Sequence, residues 1–164
     1  MKLTGEITVT APRQTVFDKL RDARFFASCV DGVHDLTEID ATHYAAMFET
    51  KIAYMKFKFN VTVELTRVEP PSEIEAKVEG TPLGVVGRLT ARSILQVVEA
   101  GAETKIRYET ESTLAGKLGS IGQPVLRSKA KEMEKQFAKN LQARFAAAEA
   151  GTPPASGASP SGGA

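Results

Sequence analysis

The chain has 164 residues but only one cysteine, two histidines and no tryptophan. A single Cys29 excludes an internal disulfide and any zinc site built on several cysteines. It also lacks a Cys–His signature that would activate it, so it reads as a buried structural thiol. His34 and His43 form neither an HxxxH nor an HxH pair, and no carboxylate run accompanies them. They are expected as surface histidines beside a turn, with no metal site. Charge of one sign is missing too: Lys+Arg of 21 against Asp+Glu of 20 leaves a net +1. Bulk electrostatics therefore give no case for a nucleic-acid partner. No stretch reaches the roughly 18 consecutive apolar residues of a spanning helix, and MKLTGEITVT alternates where a signal peptide would be continuously apolar. Any membrane contact would have to be peripheral.

Catalytic patterns are equally scarce. Asp31-Gly32 reads as turn chemistry. EGTPLGVVG at 79–87 is glycine-rich but lacks the GxxxxGK[ST] of a phosphate loop and opens no helix. No catalytic residue is assigned.

What is present is period-two alternation. LTGEITV puts Leu3, Gly5, Ile7 and Val9 on one face. Residues 34–40, 43–52, 54–68, the segment EIEAKVEG, 85–98 and 103–114 read as further strands. The long 54–68 strand places Met55, Phe57, Phe59, Val61, Val63 and Leu65 together. Such alternation means an antiparallel sheet with one wet and one buried face. Between the first strand and the rest, APRQTVFDKLRDARFFASCV predicts one or two short helices, with Thr10 as N-cap and Pro12 in the first turn. The buried face is covered by PVLRSKAKEMEKQFAKNLQARFAAAEA, where Leu126, Ala130, Met133, Phe137, Leu141, Phe145 and Ala148 recur at helical spacing. The plan is α+β: strand, short helices, about six strands, and a long C-terminal helix inside the curl of the sheet. The domain is expected to span 1–149. The last residues, 150–164, contain only Gly, Ala, Ser, Pro and Thr and read as a flexible tail.

Taking EAGA at 99–102 as a turn, Val97 faces Thr104, Leu95 faces Ile106, Ser93 faces Tyr108, Ala91 faces Thr110 and Leu89 faces Ser112. The pairs shrink away from the turn, with Gly87 beyond. Small and hydroxyl-bearing inward residues leave space where a solid core would want Leu, Ile or Phe, so a cavity is expected there. The alternative is that Phe57, Phe59 or Phe137 fills it. The loop LAGKLGSIGQPVL (114–126) follows that hollow end. It carries three glycines, five large apolar side chains and a single charge, Lys117. It is expected to gate the opening and touch lipid through Leu114, Lys117, Leu118 and Ile121; the alternative is a plain connection folded onto the core. From Arg127 to Glu149 six basic residues stand against three acidic, a basic flank suited to anionic headgroups, though an ordinary solvated helix face explains it equally well.

Three stretches, MKLTGEITVTAPRQTVFDKLRDARFFASCVDG, EGTPLGVVGRL and LAGKLGSIGQPVL before a last helix, together resemble the carbon monoxide dehydrogenase G subunit (CoxG) family of the START-like helix-grip (SRPBCC) superfamily. The resemblance covers nearly all of 1–149. One departure is Asp31, where relatives often carry proline. The resemblance implies a seven-stranded antiparallel sheet gripping the last helix around an apolar cavity. It further implies association with a molybdenum-containing carbon monoxide dehydrogenase at the inner face of the cytoplasmic membrane. On that footing the expected ligand is an isoprenoid quinone, menaquinone or ubiquinone, carried without catalysis or covalent cofactor. Cavity walls are then expected from Phe25, Phe26, Phe48, Phe57, Phe59, Leu89, Ala91, Tyr108, Thr110, Ser112, Leu114, Leu118, Ile121, Val125, Met133 and Phe137, with Thr110 and Ser112 offering hydroxyls. The rival readings are a ligand-independent recruitment or assembly factor and a cyclase- or hydrolase-type enzyme.

Overall fold

A computed structural model describes residues 1–150, with side chains to Ala147. The expected tail, apart from Ala150, lies outside the described residues. Strand β1 (Lys2–Val9) is followed by helices α1 (Arg13–Arg21) and α2 (Ala23–Ser28). Six strands come next: β2 (Val33–Asp40), β3 (His43–Ile52), β4 (Met55–Glu69), β5 (Glu73–Pro82), β6 (Gly87–Ala100) and β7 (Glu103–Gly116). A short 3-10 turn (Gly119–Ile121) leads into α3 (Gln123–Ala150). The sheet is antiparallel in the order β1-β7-β6-β5-β4-β3-β2. All strand connections but one are hairpins. The exception runs from β1 to the far edge at β2, and α1 and α2 lie along that crossing.

Alternation decides which way each strand faces. Ile7 and Val9 are buried on β1, Phe57 and Phe59 on β4, Val97 on β6 and Ile106 on β7, while the residues between them point outward. The β6–β7 ladder keeps this parity but is offset by two residues from the expected pairing. Val97 faces Ile106, Leu95 faces Tyr108, Ser93 faces Thr110, Ala91 faces Ser112 and Leu89 faces Leu114. The turn is tighter than EAGA: Ala100 still pairs with Glu103, and Gly101 takes φ 68° in a two-residue connection. An even offset leaves every side chain on its expected face, whereas an odd one would have turned the core outward.

The helix starts also differ in detail. Pro12, not Thr10, occupies the N-cap of α1, with no side-chain bond. Asp22 caps α2 by accepting from the backbone N–H groups of Arg24 and Phe25. The Asp31-Gly32 turn behaves as its chemistry demands. Gly32 sits at φ 91°, where an added Cβ would meet the Glu49 carbonyl oxygen at 2.2 Å. Asp31 accepts a hydrogen bond from Asn140 Nδ2 at 3.0 Å, and the same amide donates to the Cys29 carbonyl. Asp31 thus ties the turn to α3.

The buried residues fall into two clusters. A larger one joins Val16, Phe17 and Leu20 of α1 to Ile7, Val9, Val97 and Ile106 of the sheet and Leu141 and Phe145 of α3. A smaller one, of Ile52, Phe57, Phe59 and Leu118, lies toward the other end. Between the two poles the interior is hollow.

Candidate ligand cavity

The hollow has a volume of about 370 Å³ and walls that are almost entirely apolar. Its roof is the inward face of β3 to β6: Ala46 and Phe48, Val61 to Leu65 and Ile74 to Val78 at alternate positions, and Leu89, Ser93 and Leu95. Helix α2 supplies Ala23, Phe26 and Ala27, and β2 supplies Val33 and Leu36. Among the described residues of α3 only Met133 reaches it. The space exists because the middle of the sheet carries small side chains. Ala46 and Ala76 occupy inward positions, and among the described residues Met133 is the one α3 side chain that lines the space.

Polar groups are few and spaced apart. Ser93 Oγ lies 2.6 Å from Thr110 Oγ1 on the neighbouring strand. Two hydroxyls can share only one proton in that bond, so the pair keeps a second O–H for another acceptor. The Tyr44 hydroxyl is committed to the Ala41 carbonyl at 2.7 Å, and Arg21 stands at the rim as the cationic member of the lining. The chemistry suited to such a space is an apolar body carrying one or two hydrogen-bond acceptors.

Four of the expected wall residues line this cavity: Phe26, Phe48, Leu89 and Met133. Phe25 and Phe137 do not; they pack with Phe145 and Phe26 at the closed pole, centroids 5.5 and 5.0 Å apart. Phe57 and Phe59 are buried in the smaller cluster, Phe59 stacked with both Phe57 and Phe48. Ala91 is not in the wall; its cross-strand partner Val78 is. Thr110 stands one hydroxyl behind Ser93. Ser112 is held at the β1 side, where its N–H donates to the Met1 carbonyl and its own carbonyl accepts from the terminal amine at 2.6 Å.

Tyr108 turns the other way. Gly5 on β1 leaves room for its ring, since a Cβ there would stand 2.2 Å from the phenol oxygen. The hydroxyl donates to the Glu134 carboxylate of α3. Burial, reinforced by that carboxylate, raises its pKa well above the ordinary phenol value.

The 114–126 loop is corrected most sharply. Leu118 is fully buried, and Leu114 and Ile121 pack against the same small cluster. Backbone bonds from Lys117 N–H to Val86 and from Ile121 N–H to Leu118 pin the segment. The apolar side chains point inward because Gly87 leaves a seat for Leu118. Leu118 is thus neither a cavity wall nor a lipid contact here. Val125 sits in the first turn of α3, part-exposed and outside the cavity. Cys29 is the buried thiol expected of it, and burial pushes its pKa up.

The missed walls are Leu20, Arg21, Ala23, Ala27, Val30, Val33, Leu36, Tyr44 and the inward β3–β5 residues with Ser93 and Leu95. Their signal was present as alanine at inward positions on the two strands that flank β4, Ala46 on β3 and Ala76 on β5. Reading it required knowing that these strands share the middle of the sheet.

Among the described residues no helix is long and apolar enough to cross a membrane. The family model for the carbon monoxide dehydrogenase G subunit (CoxG) matches residues 5–146. A conserved protein from Geobacillus kaustophilus superposes with a TM-score of 0.82 at 26% identity, covering 90% of this chain and 97% of its own. A START superfamily protein from Mycobacterium smegmatis gives a TM-score of 0.69 at 12% identity, over 88% of this chain and 97% of its own. The Zhui aromatase/cyclase from Streptomyces sp. R1128 gives 0.64 at 12% identity, over 91% and 95%. The last two share the fold alone. No curated protein sequence matches the chain.

Proposed function

The chain belongs to the CoxG family of carbon monoxide dehydrogenase G subunits, and from that premise we propose that it is a non-catalytic carrier of an isoprenoid quinone. It would take the quinone at the inner face of the cell membrane and present it to a molybdenum-containing carbon monoxide dehydrogenase, whose electrons then enter the respiratory chain. The observation that carries the reading is the apolar cavity of about 370 Å³, within the range of roughly 300–1,000 Å³ usual for small-molecule sites.

A quinone ring matches what the walls offer. Its body is apolar, and its carbonyls are acceptors for the spare O–H of the Ser93–Thr110 pair. The ring and the first isoprene units fill such a volume, and the rest of the tail leaves through the open side. The START-like fold supports a ligand-binding role. Against a cyclase or hydrolase stands the lining itself: its ionisable members are Arg21 and Tyr44, and the Tyr44 hydroxyl is already committed to a backbone carbonyl. No acid–base pair faces the space, and general acid–base work needs groups within hydrogen-bond reach of the reacting atoms.

The test is organic extraction and native mass spectrometry of the purified protein, followed by titration with short-chain menaquinone and ubiquinone analogues. Stoichiometric quinone, displaced by Ala76→Leu, supports the carrier. Failure to bind any isoprenoid quinone while the dehydrogenase is still captured would leave the recruitment or assembly role as the better account.

A further inference from the structure

We propose that the end of the sheet formed by the β3–β4 hairpin, the β5–β6 turn and the start of α3 docks on the surface of an anionic phospholipid bilayer. The inference rests on the membrane-facing part of the reading above and names the surface and the lipid charge it meets.

Three loops share this end. Ile52 pairs with Met55 to close the hairpin at Ala53–Tyr54. The Leu83 N–H donates to the Lys58 carbonyl, and the Lys117 N–H donates to the Val86 carbonyl. On these loops Tyr54 is 96% exposed and Val86 79%, with Met55 and Leu83 about half exposed. Single exposed apolar residues are ordinary, but four on adjoining loops make a patch. Beneath them the core is shut by Ile52, Phe57, Phe59 and Leu118, so the four side chains have no inward seat left. Ala53 holds a left-handed φ of 57°, a conformation glycine or asparagine adopts more easily, and that bend carries the hairpin into the fully exposed Tyr54.

The charge around the patch has one sign. Residues 50–63, 80–91 and 112–128 contain no aspartate or glutamate, although the chain has 20. They carry six cations: Lys51, Lys56, Lys58, Arg88, Lys117 and Arg127. Among the described residues only Lys58 and Arg88 reach a carboxylate, at 3.9 and 4.0 Å. Lys51 stands directly opposite Lys56 across the ladder, a like-charge pairing that destabilises a sheet unless an anion answers it.

An anionic bilayer answers both features. Tyr54 and the aliphatic side chains enter the headgroup boundary, while the lysines keep their ammonium groups at the phosphate level. A second copy of the chain would bring cations against cations. Docking here sets the membrane against the cluster that Phe48 and Val61 share with the cavity wall.

The test is co-sedimentation of the full chain with vesicles of phosphatidylcholine alone or in equimolar mixture with phosphatidylglycerol. Binding is expected to the mixture and only weakly to the neutral vesicles. Lys51→Gln/Lys56→Gln should weaken binding to the mixture about 25-fold, at about fivefold per lysine. Tyr54→Ser/Val86→Ser should lower binding to both vesicle types, and Lys135→Gln/Lys139→Gln, on the far part of α3, should change little. All these positions are exposed, and unchanged thermal melting would certify the folds. Wild-type binding indifferent to phosphatidylglycerol, or tip variants that bind as the wild type does, would overturn the proposal. So would a wild-type dimer in analytical ultracentrifugation that the tip variants dissolve. Quinone uptake in detergent is read in parallel. If uptake fails but tip-dependent vesicle binding holds, the carrier reading falls and the docking surface stands; the reverse result separates them the other way.

Discussion

The closed pole and the middle lie under one continuous sheet, yet one is solid and the other hollow. At the closed pole α3 contributes Leu141 and Phe145, both buried, and α1 adds Val16 and Phe17 with no exposed surface. In the middle α3 contributes Met133 alone, against strands that present Ala46 and Ala76. The strand geometry does not change between the two regions; the side-chain volumes do. A cavity in this fold is therefore a matter of residue size along a continuous sheet.

The largest effect that can break this comparison is deletion of bulk. Phe17→Ala removes a fully buried ring at the closed pole and is expected to cost about 3–5 kcal/mol, a large share of the roughly 5–15 kcal/mol that holds a domain of this kind together. Met133→Ala, which enlarges a space already empty, is expected to cost about 1 kcal/mol, below the usual range for buried methionine because contacts are missing on one side. Urea denaturation of the two variants checks this. Equal costs would mean that the middle is packed and the cavity closed in solution.

Adding bulk should give the mirror result. Ala11 is buried at the closed pole, and Ala11→Leu is expected to destabilise by about 1–3 kcal/mol through overpacking. Ala76→Leu projects into free volume and should cost less than about 1 kcal/mol, while ligand uptake falls because the space is taken. A stability loss at Ala76 equal to that at Ala11 would refute the difference between the regions.

Between the two regions stands the Tyr108–Glu134 bond, which fastens β7 to α3. Tyr108→Phe leaves a half-buried carboxylate without its donor, and the expected cost is about 1–3 kcal/mol. Glu134→Gln in the same background should restore part of it, since an amide is easier to leave unpaired than a carboxylate. A double-mutant cycle by urea denaturation gives the coupling; additive losses would show that the bond fastens nothing.

Much of this was legible before the structure. Strand faces follow from parity, and the α3 stripe from Leu126 to Phe145 from helical spacing, because both periods are properties of the backbone. The hollow is legible as a shortage of inward bulk, but that shortage points to β6 and β7, beside Thr110 and Ser112. The ladder there is displaced by two residues through a tighter turn at Gly101, and Met1 occupies the space beside Ser112. The actual void depends on which strands share the middle of the sheet, and on α3 being thin where they meet it. The loop at 114–126 misled for a similar reason. Its apolar residues suggested lipid, but Gly87, distant in sequence, provides the seat that buries Leu118. The exposed apolar residues are those of short turns, Tyr54 and Val86, which no periodicity marks.

The smallest expected effect concerns pH and distinguishes the cavity's edge from the closed pole. His34 on β2 is held above the ordinary histidine pKa by hydrogen bonds first to Asp35 and then to Glu49 of β3. His43 is raised likewise by Asp40. A raised folded-state pKa means that the charged form stabilises the fold. That contribution is full below the ordinary histidine value and is lost as pH climbs through the raised one. Both rings are exposed and open to screening, and Lys58 competes for Glu49, so the gain is small. It acts on the β2–β3 edge, which walls the cavity with Leu36 and Tyr44. Amide hydrogen exchange, corrected for its intrinsic pH dependence, is expected to show β2–β3 opening more readily at about pH 8 than at about pH 6, while β7 and the buried part of α3 stay unchanged. His34→Gln should flatten most of the difference. If β7 loosened in step with β2, the edge and the pole would unfold as one unit, and the cavity would have no independently yielding wall through which a ligand could enter.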